Sequence, residues 1–455
     1  MSGIAEIFLS QGHEVSGSDT APSEITERLV RLGATVYPEH MSENVHDVDA
    51  VVISSAVKAD NPEVIAAKEQ GIPVIPRAEM LAEIMRGKTG VAIAGTHGKT
   101  TTTSMVAQIL IKAGLEPTVV VGGKVEVIGG TNAKLGLGNI AVVEADESDG
   151  SFHFLPARFT VITNIDLDHM EFYKTRENLN EAFVQFAKKI PFYGCTWLCG
   201  DDDGVKTILP ELTKPYRTYG FEEENHLIIK NLTVLPHQHQ KFGVWTRENK
   251  TDPLVFHGDM ELSVLGKHNV LNAAAALGIS LSLGVPFMAA REALAEFKHV
   301  RRRFDERYYS PAKNIRVIDD YGHHPTEIKA VLATAEQTGH KRIITVFQPH
   351  RYTRTQLCWN EFLSCFDETD VLLMLPIYAA SEEPIEGVST STLCQDIAAR
   401  LKQEKREIQI VEIESLLEAE QWLFKNKTDG DLILTLGAGS ITKLADQMAK
   451  AFKDI

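Results

Sequence analysis

A chain of 455 residues exceeds what one hydrophobic core usually supports, so roughly two to four domains are predicted, and an apolar share of 44% leaves ample material to bury. The formal net charge of −16 excludes a general nucleic-acid binder, because phosphate affinity needs clustered Lys and Arg. Five cysteines with no CxxC pair read as reduced core thiols, no run approaches the roughly 18 apolar residues of a membrane span, and no basic-then-apolar leader opens the chain, so a soluble, cytoplasmic protein with no membrane partner is predicted.

Residues 1–9 have helical apolar spacing, and 13–16 read as a strand ending in Gly17, Ser18 and Asp19. An acidic residue at the end of that strand in a nucleotide-binding α/β unit is placed to hold a ribose; a solvated turn aspartate is the alternative for Asp19. No strand and glycine loop stand ahead of the first helix, so either the chain is truncated there or its first helix follows no strand. Residues 34–37, 50–54 and 72–75 read as short buried strands, separated by helical stretches at 23–31 and 62–70. Such alternation implies a parallel sheet covered on both faces, and a first domain over residues 1–88.

The second domain, residues 89–298, opens on the chain's most informative stretch. The apolar run 91–94 leads into GTHGKTTT at 95–102, and Met105, Val106, Ile109 and Leu110 then keep helical spacing. A strand, a glycine turn and a helix start leave backbone N–H groups at the positive helix end, where an anion is cradled. Gly95, Thr96, His97, Gly98, Lys99, Thr100 and Thr101 are therefore the candidate nucleoside triphosphate loop, with Lys99 reaching a terminal phosphate and Thr100 or Thr101 offering a hydroxyl to Mg²⁺. The longer G-x-x-x-x-G-K-[ST] spacing would place a glycine where Ile93 stands, so the match is to a shorter G-x-x-G-K-T variant.

A strand at 140–143 ends in EADESD, residues 144–149, where carboxylates at the end of a strand beside a phosphate loop suit a small hard cation; Glu144 is the first candidate. The strand 159–163 runs into NIDLDHM, whose Asp168 and His169 are candidates for a second metal or its water shell, with Mn²⁺ as well as Mg²⁺ compatible with an imidazole; a capping or packing histidine is the other reading. Residues 215–262 have mixed alternating patterning and read as a small antiparallel insertion. In GKHNVLNAAAAL, residues 266–277, His268, Asn269 and Asn272 sit at a helix start and are placed either to read an adenine edge or to cap the helix.

Arg301, Arg302 and Arg303 read as a solvated charge run near the next boundary. In the third domain, residues 299–455, strands at 315–318, 343–347, 371–375, 408–411 and 432–436 alternate with helices, the pattern of another doubly wound sheet. DDYGHHP (319–325), QPHRYTRT (348–355) and GAGS (437–440) each follow a strand, and clusters at carboxyl ends of successive parallel strands converge on one crevice.

The set GTHGKTTT, EADESD, NIDLDHM, GKHNVLN, DDYGHHP and FQPHRYTRT resembles the Mur ligase family, ATP-dependent amide ligases of peptidoglycan precursor assembly, and within it the branch that adds L-alanine to UDP-N-acetylmuramate. The resemblance implies an α/β protein of three domains: a Rossmann-like amino-terminal domain lacking its first strand, a central P-loop ATPase-like sheet and a Rossmann-like carboxyl-terminal domain. It implies that ATP phosphorylates the lactyl carboxylate and that the amine of L-alanine attacks the acyl phosphate. Lys99 and Mg²⁺ held by Thr100 and Glu144 would neutralise the phosphates, and His169 would serve a second metal. Arg351 and Arg354 would hold the substrate carboxylate and the tetrahedral intermediate, since a guanidinium fork matches a carboxylate in two hydrogen bonds.

By the same resemblance Tyr321, His323 and His350 would line the alanine and acyl-phosphate pocket, with His323 catalytic. His268, Asn269 and Asn272 would contact adenine, Asp320 the ATP ribose, and Asp19 and Ser55 the UDP-sugar. Closure between the ATP-binding and arginine-bearing domains is implied as well. The chain departs from some relatives in having no lysine at 180–187, where they carry a carbamoylated one, and in lacking ahead of Met1 the glycine-rich loop that helps hold UDP. A murein tripeptide recycling ligase and a non-catalytic nucleotide-binding protein are the competing readings, and monomer and homodimer both stay open.

Overall fold

In the computed structural model, residues 1–21, 23–54, 56–235 and 239–453 are described. They divide into two compact units, one of residues 1–233, 241–263 and 271–298, the other of 234–240, 264–270 and 299–455.

The first unit begins with helix Ser2–Ser10, as its apolar spacing predicts, and Ile4 and Ile7 join the same buried cluster as Val143, Phe152 and Phe183. Gly3 allows that packing, because a Cβ there would lie 2.7 Å from the Ala133 side chain. Helix Glu24–Arg31 starts at a capping box on Ser23, and helix Pro62–Glu69 starts at Asn61 with proline in its first turn, within the stretches 23–31 and 62–70 that were read as helical.

The sheet of this region departs from expectation. Strand Ser16–Ser18 pairs in parallel with Thr35–Tyr37, and Val51–Ile53 with Val74–Pro76, but among the described residues no strand joins the two pairs. The first strand also begins where 13–16 was predicted to end, since backbone pairing to Thr35–Tyr37 starts only at Ser16. Helices 24–31 and 62–69 follow the strands as the alternating pattern requires.

The same unit carries a ten-stranded sheet in the order Val255–Leu262, His239–Thr246, Leu227–Leu235, Tyr216–Gly220, Cys195–Cys199, Phe159–Ile162, Thr89–Ala94, Ile140–Glu144, Thr118–Val125, Thr131–Lys134. Thr89–Ala94 is central and pairs in parallel with Ile140–Glu144 and Phe159–Ile162, so three strands end on the same side. Residues 215–262 are not the separate insertion their patterning implied. Tyr216–Gly220 pairs in parallel with Cys195–Cys199 and with Leu227–Leu235, and these strands extend the main sheet.

The second unit is a six-stranded sheet in the order Asp305–Ser310, Ile315–Asp320, Asp431–Leu436, Arg342–Phe347, Val371–Met374, Gln409–Glu412. Only the first pair is antiparallel. Alternate residues of each strand feed different cores: Leu432, Leu434 and Leu436 pack with Ile328 and Leu393, whereas Ile433 packs with Leu423 and Leu444. Both faces are thus covered by helices, the doubly wound arrangement that near-continuous apolar strands require. All five cysteines are free, four of them buried, and no helix among the described residues is long and apolar enough to cross a membrane.

Candidate active site

The phosphate loop follows central strand Thr89–Ala94 and opens helix Lys99–Lys112, which has no side-chain cap. No capping side chain therefore occupies its first-turn N–H groups, the arrangement that suits an anion. Gly95 and Gly98 hold φ of 127° and 83°, and a Cβ on Gly95 would lie 2.0 Å from Thr163 Oγ1, so neither position admits another residue without strain. The loop is clamped from the neighbouring strand end: Asn164 O accepts Thr96 N–H at 3.1 Å, Asn164 Oδ1 accepts His97 N–H at 2.8 Å, and His97 Nε2 lies 3.2 Å from Asp166 Oδ2. Asn164 was not singled out in the sequence, although it opens NIDLDHM.

Lys99 folds back over its own loop. Its Nζ donates to Gly95 O at 2.6 Å, Thr96 O at 3.0 Å and Glu147 Oε1 at 2.9 Å, and lies 2.8 Å from Glu147 Oε2. Burial disfavours the ammonium, but the facing Glu147 carboxylate, with Asp146 and Glu144 beyond it, outweighs burial and holds Lys99 protonated. Burial likewise pushes the Glu147 carboxyl up, against the pull of Lys99. The direction that governs the pair is that of Lys99, because two carboxylate oxygens sit within bonding range of one ammonium.

Thr100 and Glu144, predicted together, meet: Thr100 Oγ1 donates to Glu144 Oε1 at 3.1 Å, and Gly122 N–H donates to Oε2 at 2.7 Å. His169, at φ 55°, has its Nε2 4.0 Å from Glu147 Oε1 and 3.7 Å from Asp168 Oδ2. The acid the sequence reading passed over is thus Glu147, 1% exposed, which stands between Lys99 and His169. The Thr100 hydroxyl with the Glu144 and Glu147 carboxylates fits a small hard cation, and the His169 imidazole admits Mn²⁺ too.

The helix Lys267–Ser282 carries the three candidates for adenine. Asn272 Oδ1 accepts Thr102 Oγ1–H at 3.1 Å and so braces the phosphate helix, while Asn269 Nδ2 donates to Leu265 O at 2.7 Å. In the second unit burial, helped by the Arg303 and His299 charges, lowers the pKa of His268 to about 4, so the ring is neutral at pH 7. Asp19 accepts Ala21 N–H at 2.9 Å in an exposed turn. Ser55 lies outside the described residues.

The strand ends of the second unit gather the remaining candidates. Tyr321 and His323 rings meet edge to face at 5.2 Å, His323 and His350 at 5.8 Å, and His350 stacks on Tyr378 at 5.6 Å. Tyr378, absent from the sequence reading, lies in the loop after strand Val371–Met374 and is fixed by Arg351 N–H donating to its carbonyl at 2.9 Å. Its signal was positional, an aromatic residue just past a parallel strand. Arg351 holds φ 70° at the start of helix Tyr352–Leu357, and buried Arg354 has Nη1 3.3 Å from His350 Nδ1. His323 Nδ1 lies 3.1 Å from Tyr321 O and 3.3 Å from Glu327 Oε2.

Asp320 is fully engaged within the unit. Its oxygens accept Phe304 N–H and Gly322 N–H, each at 2.6 Å, and burial raises its pKa to about 6. Arg302 and Arg303 are not a solvated run: their guanidinium groups lie 5.0 and 5.1 Å from the centre of the Tyr321 ring. Arg302 Nε is 3.4 Å from Asp319 and Arg303 Nη1 3.4 Å from Glu327. The partners that draw these arginines in lie at the end of strand Ile315–Asp320 and in helix Pro325–Glu336, beyond the reach of a local pattern.

Comparison with known proteins agrees with this assembly. Residues 1–89 match the profile described as Mur ligase family, catalytic domain, residues 93–280 the Mur ligase middle domain, and residues 302–439 the Mur ligase, glutamate ligase domain. The chain is 47% identical over 448 residues to "UDP-N-acetylmuramate--L-alanine ligase" of Anaeromyxobacter sp. (strain Fw109-5), covering 98% of this chain and 94% of that one. It is 48% identical over 444 residues to the protein of the same name from Pelobacter propionicus, covering 97% and 93%. Among solved structures, UDP-N-acetylmuramate-alanine ligase MurC from Thermotoga maritima superposes with a TM-score of 0.80 at 28% identity, covering 100% of this chain and 96% of that one. With three consecutive profile matches and near-full-length relatives at this identity, the chain belongs to the Mur ligase family.

Proposed function

We propose that the protein joins L-alanine to the lactyl carboxylate of UDP-N-acetylmuramate, with ATP supplying the activating phosphate, in peptidoglycan precursor synthesis. What carries this reading is that a chain 44–48% identical along its length to proteins bearing that ligase name has Lys99, Thr100 and Glu144 together in one unit and Arg351, Arg354, His323 and His350 clustered in the other. A protein that only bound nucleotide would need no guanidinium pair for acyl transfer. Three domains, residues 1–88, 89–298 and 299–455, hold the UDP-sugar, the ATP and the amino acid respectively in this reading.

Bringing a carboxylate to a γ-phosphate sets like charges together, so cations and aimed donors must lower that barrier. Lys99 and the open amides after Gly98 hold the β and γ oxygens. Thr100 and Glu144 would hold Mg²⁺, and His169 would serve a second metal, which together would supply further charge neutralisation. A lactyl carboxylate oxygen forms a bond to the γ-phosphorus and ADP departs. Arg351 and Arg354 steady the acyl phosphate and the oxyanion that follows. With Nδ1 donating to Tyr321 O, Nε2 is the basic nitrogen of His323 and takes the proton that frees the alanine amine to attack. Five unpaired thiols suit a cytoplasmic site of action.

Phosphate release is to be measured with ATP, UDP-N-acetylmuramate and L-alanine. Release that depends on L-alanine is expected; its absence overturns the reading. Faster release with murein tripeptide than with L-alanine would instead identify a recycling ligase.

A further inference from the structure

We propose that Lys99 is a tethered stand-in for a divalent cation, and that Glu147 with His169 forms a metal position that the ammonium vacates when a nucleotide binds. The inference rests on the metal-nucleotide reading of the phosphate loop and adds to it a ligand, Glu147, and an exchange.

An ammonium has three donors, and those of Lys99 are committed to Gly95 O, Thr96 O and the Glu147 carboxylate. A phosphate oxygen gains a bond from Lys99 only by displacing one of them. The two carbonyls belong to a loop clamped by Asn164 and wedged at Gly95 against Thr163, whereas Glu147 stands on a separate segment. Glu147 is therefore the partner given up. It cannot follow the lysine or retreat to water, because its own carbonyl accepts Gly150 N–H at 3.0 Å and the Tyr173 hydroxyl, and its side chain is 1% exposed.

A carboxylate left buried without a cation is strongly disfavoured. A replacement is positioned for: His169 Nε2 lies 4.0 Å from Glu147 Oε1. Two donors facing each other across a hard cation, each at about 2.0–2.1 Å, stand about 4 Å apart. His169 takes a left-handed backbone at φ 55° where it caps the start of helix Met170–Tyr173. Both Glu147 oxygens, 2.9 and 2.8 Å from Lys99 Nζ, are released to a metal once the ammonium withdraws.

The test needs no substrate. Mn²⁺ binding to the nucleotide-free full chain is titrated by electron paramagnetic resonance for the parent, Lys99→Met and Lys99→Met/Glu147→Gln. Lys99→Met is expected to bind Mn²⁺ at least about ten-fold tighter than the parent and to gain melting temperature with added Mn²⁺; the double variant loses both effects. Lys99→Met binding no tighter than the parent, or a gain that persists in the double variant, overturns the exchange. Should Lys99→Met not fold, Glu147→Gln is compared with the parent for Mn²⁺ affinity in the presence of ADP, where a drop of about ten-fold supports the proposal and equal affinity refutes it. A chain that shows the exchange but no L-alanine-dependent phosphate release would fail only the ligase reading.

Discussion

A Cβ on Gly98 would lie 2.6 Å from Asn272 Oδ1, the same oxygen that accepts the Thr102 hydroxyl at 3.1 Å. The glycine of the phosphate loop is thus fixed from two directions, by its left-handed φ of 83° and by the amide pressed against it. Gly98→Ala should cost more than about 1 kcal/mol of stability. Asn272→Ala removes the obstructing oxygen, so the two substitutions should couple by at least about 0.5 kcal/mol, read from urea unfolding of the parent, both single variants and the double. Strict additivity would show that the contact does not act.

Removing Lys99 should do more than stop turnover. Glu147 is buried opposite it, so Lys99→Ala leaves a carboxylate without its counter-charge, at a cost of about 3–5 kcal/mol in denaturant unfolding. Lys99→Ala/Glu147→Gln should recover most of that stability while phosphate release stays absent. A Lys99→Ala protein as stable as the parent would mean that the ion pair contributes nothing.

His268 sets an acid limit. Its pKa is 6.5 when unperturbed and about 4 in the fold, lowered first by burial and then by Arg303 and His299. Below pH 6.5 the unfolded chain binds a proton that the folded chain refuses, so the stabilisation is complete above that pH and is lost as pH falls toward 4. The loss should reach about 2 kcal/mol by pH 5. His268→Gln should flatten the difference between unfolding midpoints at pH 7 and pH 5 by that amount, with His226 and His340 left to titrate equally in both proteins.

Arg354 is 8% exposed and sits against His350, where a flexible ammonium cannot reproduce a planar fork. Arg354→Lys should lower L-alanine-dependent phosphate release by about ten-fold or more, roughly 1.4 kcal/mol or more of transition-state stabilisation. Nucleotide affinity, measured separately by calorimetry, should hold. A loss confined to nucleotide binding would remove this arginine from the acyl side of the reaction.

The phosphate loop was legible because strand, glycine turn and helix follow one another within a few residues, and each carries its own local signal. The helical stretches at 23–31 and 62–70 were legible too, whereas the caps at Ser23 and Asn61 came from the structure. Residues 215–262 were misread for the opposite reason: alternation gives strand but not partner, and the parallel bonding of Tyr216–Gly220 to Cys195–Cys199 depends on where the chain returns. Arg302 and Arg303 looked solvated until Tyr321, Asp319 and Glu327 were brought to them. Glu147 was visible as one of several acids, and only its burial beside Lys99 and His169 separates it from Glu144.

The six-stranded sheet also has a history written into its order. Strand Asp431–Leu436 lies between Ile315–Asp320 and Arg342–Phe347, bonded to both, yet it is made after every other strand of that sheet. Until the ribosome has released it, those two strands have no common neighbour, and Asp319 lacks the hydroxyls of Thr435 and Thr442 that it accepts at 2.8 and 2.7 Å. The aspartates heading DDYGHHP can reach their final setting only once synthesis has passed residue 442. This unit must therefore complete its fold after translation of nearly its whole length, and a nascent chain stalled before Asp431 would expose two apolar strand edges to chaperones and proteases.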